Sequence, residues 1–169
     1  MGLPQRTEAA SYYFTYIDLV SGDDILQAIE AQLDDTSKFL SGVSEEKSLY
    51  RYAPDKWTIR QVVSHLNDTE RVFAFRAMWF ARGLSEPLPS FDQNIASNAD
   101  GADNRSLASH VQEFRKIREA TIALFRNLPA EAWVRSGVAS GNSVTVNALA
   151  YIIAGHVAHH AAILRERYL

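Results

Sequence analysis

The sequence predicts an all-α protein, a four-helix bundle with a short β-hairpin ahead of its last helix. Three observations predict it. Apolar residues recur at helical spacing in four long segments. Capping residues, or Gly and Pro, bound those segments. A period of two occurs in only one short stretch, just before the fourth segment. The chain has 169 residues, a length that suits a single domain, residues 1–169, around one core. Bundles of this kind build cofactor and metal sites in their cores from side chains on facing helices.

The first helix is expected from about Asp23 to Leu40. Ile25, Ile29, Leu33, Thr36 and Leu40 form its stripe, and Asp23 and Asp24 favour an N-terminus. The second runs from about Thr58 to Arg82, with Thr58 and Gln61 spaced as a capping box and Gly83 and Pro87 marking the stop. The third runs from about Ser106 to Asn127. Leu107, Val111, Phe114, Ile117, Thr121, Leu124 and Phe125 form its inner face, and Pro129 follows its end. Residues 133–146 alternate apolar and polar around Gly141 and Asn142, as a hairpin does. The fourth helix runs from about Thr145 to Arg167. Residues 83–104 carry three turn-rich clusters and no sustained period; a connection of this length is often functional.

Composition sets limits on function. The chain is 47% hydrophobic and 22% charged, with a net charge of −3 and no basic block, so no nucleic-acid surface is indicated. It has no cysteine, which excludes disulfides, thiolate nucleophiles and Cys-ligated zinc. The first residues form no signal peptide, and Arg6 breaks a myristoylation pattern. Unbroken apolar stretches fall short of the roughly 18 residues of a membrane span. A cytoplasmic protein is expected.

Function is written most plainly in the histidines. There are five, and three of them, His156, His159 and His160, lie in one stretch of five residues. On a helix, His156 and His160 are about 6 Å apart along the axis and roughly 40° apart around it, so they can aim at one point. Both fall on the apolar stripe of the fourth helix, with Leu149, Ile152, Ile153, Val157, Ile163 and Leu164. Buried imidazoles need hydrogen-bond partners or a metal. A pair of core histidines bonded to other side chains is the simpler alternative, but an inward pair suits a cation as neutral ligands. His159 lies about 100° around the helix from His160; it can orient a ligand, cover the site or face a neighbouring helix. His65 is the best third ligand, since it shares an inward stripe with Leu66, Thr69, Val72, Phe73 and Arg76. Three imidazoles would leave an open coordination position, as metal-assisted chemistry requires.

Other residues are weaker candidates. Asp68 is placed either to hydrogen-bond a ligand histidine or as an exposed carboxylate. His110 reads as surface or boundary, Glu70 and Arg71 as surface pairs, and Arg76 as a packing or helix-pairing residue too far along the helix to touch a metal. Asp92 reads as a turn or cap residue. Trp57, Trp79 and Trp133 read as packing. The aromatic cluster Tyr12, Tyr13, Phe14 and Tyr16 reads as packing too, or as the wall of a pocket mouth or a dimer surface. The sequence has no serine triad signature, phosphate loop or zincin motif; the fourth helix carries H-V-A-H-H with no Glu in the general-base position.

From about residue 13 onward the chain resembles the DinB-like, or YfiT-like, metal-binding four-helix bundles. The resemblance lies in Trp57-Thr-Ile-Arg-Gln-Val-Val-Ser-His65-Leu-Asn-Asp68-Thr-Glu70-Arg71-Val-Phe-Ala-Phe-Arg76, in the loop with Phe91-Asp92-Gln93-Asn94, and in Ala154-Gly155-His156-Val157-Ala158-His159-His160. It implies a divalent metal, often zinc or nickel, held by three histidines that correspond to His65, His156 and His160. It implies a homodimer. It also implies either thiol S-transfer with a low-molecular-weight thiol (bacillithiol, mycothiol or a glutathione-like cofactor) or metal-dependent hydrolysis. One departure stands out. Ala161-Ala162-Ile163-Leu164 follow the last histidine pair where many members have a polar step such as Gly-Gln, which makes that side of the site more apolar. Two alternatives to an enzyme stay open: a non-catalytic metal-binding or stress-related bundle, and a metal-free dimeric bundle with a buried histidine network.

Overall fold

The computed structural model describes residues 2–169. Six α-helices and one hairpin make up the framework. A short helix α1 (Phe14–Ile17) follows a 3-10 turn at Ser11–Tyr13, and α2 is Ile25–Ser41. Then come α3 (Ile59–Ala81), the short α4 (Gln93–Ala99) and α5 (Leu107–Arg126). Strands β1 (Ser136–Ala139) and β2 (Asn142–Thr145) lead into α6 (Val146–Ile163), which ends in one π turn at Leu164–Tyr168. The four expected helices are the four long ones.

Their ends are set by side chains. Asp24, Thr58, Ser106 and Thr145 each accept a backbone N–H at a helix start. At α3 the capping box is complete, because Gln61 Oε1 also accepts from the Thr58 N–H. The hairpin pairs Ser136 with Thr145 and Ala139 with Asn142. Its turn is Ser140-Gly141, one residue earlier than the Gly-Asn step suggests, and both residues have positive φ, 54° and 76°. That is the backbone of a two-residue turn matched to strand twist.

The four long helices form a ring in the order α2, α5, α3, α6, with α6 returning to α2. Helices consecutive along the chain are therefore not all neighbours: α2 lies diagonal to α3, and α5 to α6. This order places α3 beside α6. The two run in opposite directions, since Tyr168 at the end of α6 donates its hydroxyl to the Trp57 carbonyl at the start of α3 (2.8 Å).

Two apolar clusters fill the interior. The larger spans most of the bundle and includes Ile29, Leu66, Phe80, Phe114, Phe125 and Ile152. The smaller, at one end, joins Leu40, Ile59, Val62, Val63, Leu107, Val111, Leu164 and Tyr168. On α6 the histidines fall between Ile153 and Val157 of the first cluster and Leu164 of the second.

Helix α6 departs from the one-sided stripe. Every residue from Val146 to Val157 is buried, because the N-terminal segment and α1 cover the face that the bundle leaves open. The approach there is backbone to backbone: a Cβ on Gly155 would come within 2.1 Å of the Tyr16 carbonyl oxygen. The unbroken apolar runs stay short, yet this one described helix has the length and overall apolarity of a span. Val146–Tyr168 is long and apolar enough by length and composition, but 72% of its apolar 18-residue window is buried inside the bundle. Its apolarity is spent in the core.

The 83–104 connection is less irregular than expected. Asp92 caps α4, its Oδ1 accepting from the Asn94 and Ile95 N–H groups. The Leu88 N–H donates to the Val138 carbonyl and the Ser140 N–H to the Leu88 carbonyl, so the loop is stitched to the hairpin.

Candidate metal centre

Helix α3 presents His65 and α6 presents His156 and His160 to one point. His65 Nε2 lies 3.1 Å from His156 Nε2, and His160 Nε2 lies 3.2 Å from the same atom. One nitrogen from each of the three rings falls within 4.8 Å of the others. His65 and His156 are each 5% exposed, and His160 is half-buried. The donor set fits a small divalent cation. Tetrahedral coordination at a Zn–N distance of about 2.0–2.1 Å puts ligand nitrogens about 3.3–3.4 Å apart, close to the two separations found.

Electrostatics favour the same reading. Burial pushes His65 down to about 4. Burial, with His65 and His159 nearby, pushes His160 down to about 3. His156 lies well below the ordinary histidine value, through burial first and then the neighbouring rings. All three rings are therefore neutral near pH 7 and offer lone pairs. With Nε2 of His65 as a ligand, its Nδ1 carries the proton and donates to Thr69 Oγ1 at 3.2 Å. That bond fixes the tautomer and the ring plane.

Aromatic rings wall the site. Trp57 lies against His65, with ring centroids 4.9 Å apart. Tyr16 meets His156 edge-on at 5.3 Å, and Phe73 meets it edge-on at 6.2 Å. One side stays open to a cavity of about 200 Å³ lined by His65, His156, Thr69, Phe73, Arg76, Ser140 and three tyrosines, Tyr12, Tyr13 and Tyr16. Burial raises the Tyr16 phenol, and burial with the adjacent Tyr13 raises Tyr12. Both hydroxyls stay protonated and able to donate. The aromatic N-terminal cluster is thus a pocket wall as well as packing.

Several sequence expectations need correction. Asp68 does not reach a ligand histidine; it pairs with Arg71 at 3.2 Å. Thr69, four residues after His65 on the same helix face, takes that place. The i+4 hydroxyl was the available signal. His159 faces Tyr16, with ring centroids 5.3 Å apart, and stays half-buried outside the converging trio. His110 is not at the surface. It is fully buried, and its Nε2 bonds the Ala102 carbonyl, because the 3-10 turn at Ala102–Asn104 folds over that face of α5. Glu70 is not a surface residue either. It is buried and takes a bidentate bond from Arg118, at 2.8 Å for both oxygens. Arg71 does pair at the surface, with Asp68 and Glu113.

Comparison with known proteins agrees with the geometry. The family model of the DinB superfamily matches residues 28–164. A solved structure, YfiT from Bacillus subtilis, is 20% identical, with a TM-score of 0.70 over 96% of this chain and 89% of that one. YfiT is described as a probable metal-dependent hydrolase with an unusual four-helix bundle topology. No curated protein matches the sequence. The family match covers most of the chain and all three converging histidines, so the chain belongs to the DinB superfamily.

Proposed function

We propose that His65, His156 and His160 bind a divalent transition metal, zinc or nickel, and that the chain is a metal-dependent enzyme that activates a nucleophile. One observation carries this: three neutral Nε2 atoms converge, and two of their rings, His65 and His156, line a cavity. When bound there, the ion lowers the pKa of a water or thiol on its open side. The protein's own part is to hold and orient. Thr69 fixes His65, and Trp57, Tyr16 and Phe73 keep the rings from turning.

Thiol S-transfer to a small electrophile is the reading we favour. No carboxylate lines the cavity among the described residues, so a carboxylate general base has no candidate there. A thiol whose pKa is lowered by a cation needs none. Hydrolysis of a small molecule is the second reading. It is favoured by the description of YfiT and by protonated tyrosines available to a leaving group. A cytoplasmic homodimer acting on a small molecule belongs to the same proposal.

Metal analysis of the purified protein beside His160→Ala tests the site. A stoichiometric transition metal lost in the variant is expected; none in the unmodified protein, even after incubation with zinc or nickel, would refute it. Turnover of a chloronitrobenzene with a panel of thiols, set against a nitrophenyl ester without thiol, separates the two chemistries. Sedimentation velocity reads the assembly.

A further inference from the structure

The cavity beside the histidines ends in a charge that nothing neutralises. Arg76 is 4% exposed and lines the same cavity as His65 and His156. Its Nη2 donates to the Pro89 carbonyl (2.9 Å) and to Ser140 Oγ (3.0 Å). Among the described residues the N–H groups on Nε and Nη1 have no partner, and no carboxylate lies within ion-pair distance of the guanidinium. An arginine cannot shed its proton to escape burial, and an unpaired buried charge is expensive. The fold shows elsewhere how it handles such a group: Arg118, also buried, is neutralised by both oxygens of Glu70 and bonded by Gln32. Arg76 is held in place and left unneutralised, in a pocket.

The position of the charge matters too. Phe73 lies beside both the guanidinium and His156. The ring lies 5.8 Å from the Arg76 Cζ and 6.2 Å from the His156 ring. The Phe73 ring therefore neighbours both the cationic end of the cavity and the metal-facing end. At about 200 Å³ the cavity is smaller than a drug-sized site, which runs from about 300 Å³ upward.

We propose that Arg76 is the anion-recognition residue of this cavity. Its ligand is a small carboxylate, with the charged end on Arg76, the apolar body on Phe73 and the reacting end toward His65 and His156. This deepens the metal-enzyme reading and rests on it for the reacting end; the anion site itself does not depend on the metal.

The probe is benzoate, with benzamide as its uncharged counterpart, followed by the nitrogen-15 resonance of the Arg76 Nε–H and by a binding isotherm. Millimolar benzoate is expected to shift that resonance, and benzamide is not. Arg76→Gln should weaken benzoate by at least about tenfold, while Arg71→Gln, which removes an exposed arginine, should change nothing. His160→Ala should abolish metal uptake and keep benzoate binding, so failure of the metal site and failure of the anion site read differently. Equal binding of benzoate and benzamide, or benzoate binding undiminished in Arg76→Gln, overturns the proposal. So does tighter binding of inorganic phosphate than of benzoate. If Arg76→Gln does not fold, the Nε–H titration of the unmodified protein decides alone. Comparing propionate with 3-mercaptopropionate on the metal-loaded protein then tells the source. A large gain for the mercapto acid places the carboxylate on the thiol; equal binding places it on the electrophile.

Discussion

Replacing Glu70 by alanine should destabilise the protein far more than a helix-surface carboxylate would. Glu70 accepts from Arg118 Nε and Nη2 at 2.8 Å each, and the side chains are 2% and 0% exposed. The variant leaves a guanidinium buried without its counter-ion, which costs about 3–5 kcal/mol. For a chain of this length 1 kcal/mol moves Tm by about 2–4 °C, so the fall should be roughly 6–20 °C. Removing both partners together, Glu70→Leu with Arg118→Met, should recover most of the loss, because the desolvation of the ion pair disappears with its attraction. Thermal melts by circular dichroism on metal-free protein measure all three. A Glu70→Ala variant melting within about 2 °C of the unmodified protein, with no gain in the double variant, would refute the reasoning. The network has a second reach. Arg118 Nη1 donates to Gln32 Oε1 (2.7 Å), and Gln32 Nε2 donates to the Ala154 carbonyl (2.9 Å), two residues before His156. The ion pair thus ties α3, α5 and α2 to the backbone that carries the candidate ligands.

Three further outcomes are expected. Thr69→Val keeps the shape of the side chain but removes the acceptor for His65 Nδ1; metal affinity should fall by about 10–100-fold with little change in Tm, measured by competition with a chelator of known affinity. Gly155→Ala places a methyl 2.1 Å from the Tyr16 carbonyl oxygen and 2.4 Å from its carbon. Backbone cannot step aside as a side-chain tip can, so the N-terminal segment should lift from α6, seen as faster amide exchange at Tyr13–Ile17. Glu45 caps α5 through the Leu107 and Ala108 N–H groups, and these bonds, with Arg60, hold its carboxyl below the ordinary range. Its folded pKa is below the unfolded value near 4.5. Its contribution is therefore complete above that pH and fades as pH falls through the folded value. The side chain is half exposed, so Glu45→Gln should lose only about 0.5–1 kcal/mol at pH 7, and the two melting curves should converge below pH 4.5.

Much of the frame was legible because helix ends and inward positions are local. Thr58 and Gln61 mark the start of α3, and the spacing of His156 and His160 alone puts them on one face. His65 could be chosen by its stripe. What stayed hidden depends on which faces meet. Period gives Glu70 an azimuth but not the Arg118 waiting on α5. It places His110 beside an apolar stripe but not under the turn at Ala102–Asn104. It shows α6 as one-sided because the covering element, Ser11–Ile17, is too short to carry a helical period of its own. Asp68 and Thr69, three and four residues after His65, both lie near it along the helix; the hydroxyl at i+4 is legible as a candidate, but packing decides which of the two His65 uses.

The ring order explains which helices share the three-histidine site. In a bundle that goes up and down with each helix beside the next, the second and fourth long helices lie on a diagonal, across the core from each other. Here the first and second long helices take the diagonal instead, and α3 comes to lie against α6, close enough for Nε2 atoms to sit 3.1 Å apart. The same adjacency puts the histidines at the edge of the core, where solvent would reach them. The N-terminal segment closes that edge, its backbone pressed on Gly155 and its tyrosines forming one wall of the cavity. A site for chemistry needs ligands shielded from bulk water and a way in for a small molecule. The helix order supplies the first approach of the ligands, and a covering segment that walls the cavity without sealing it supplies the second.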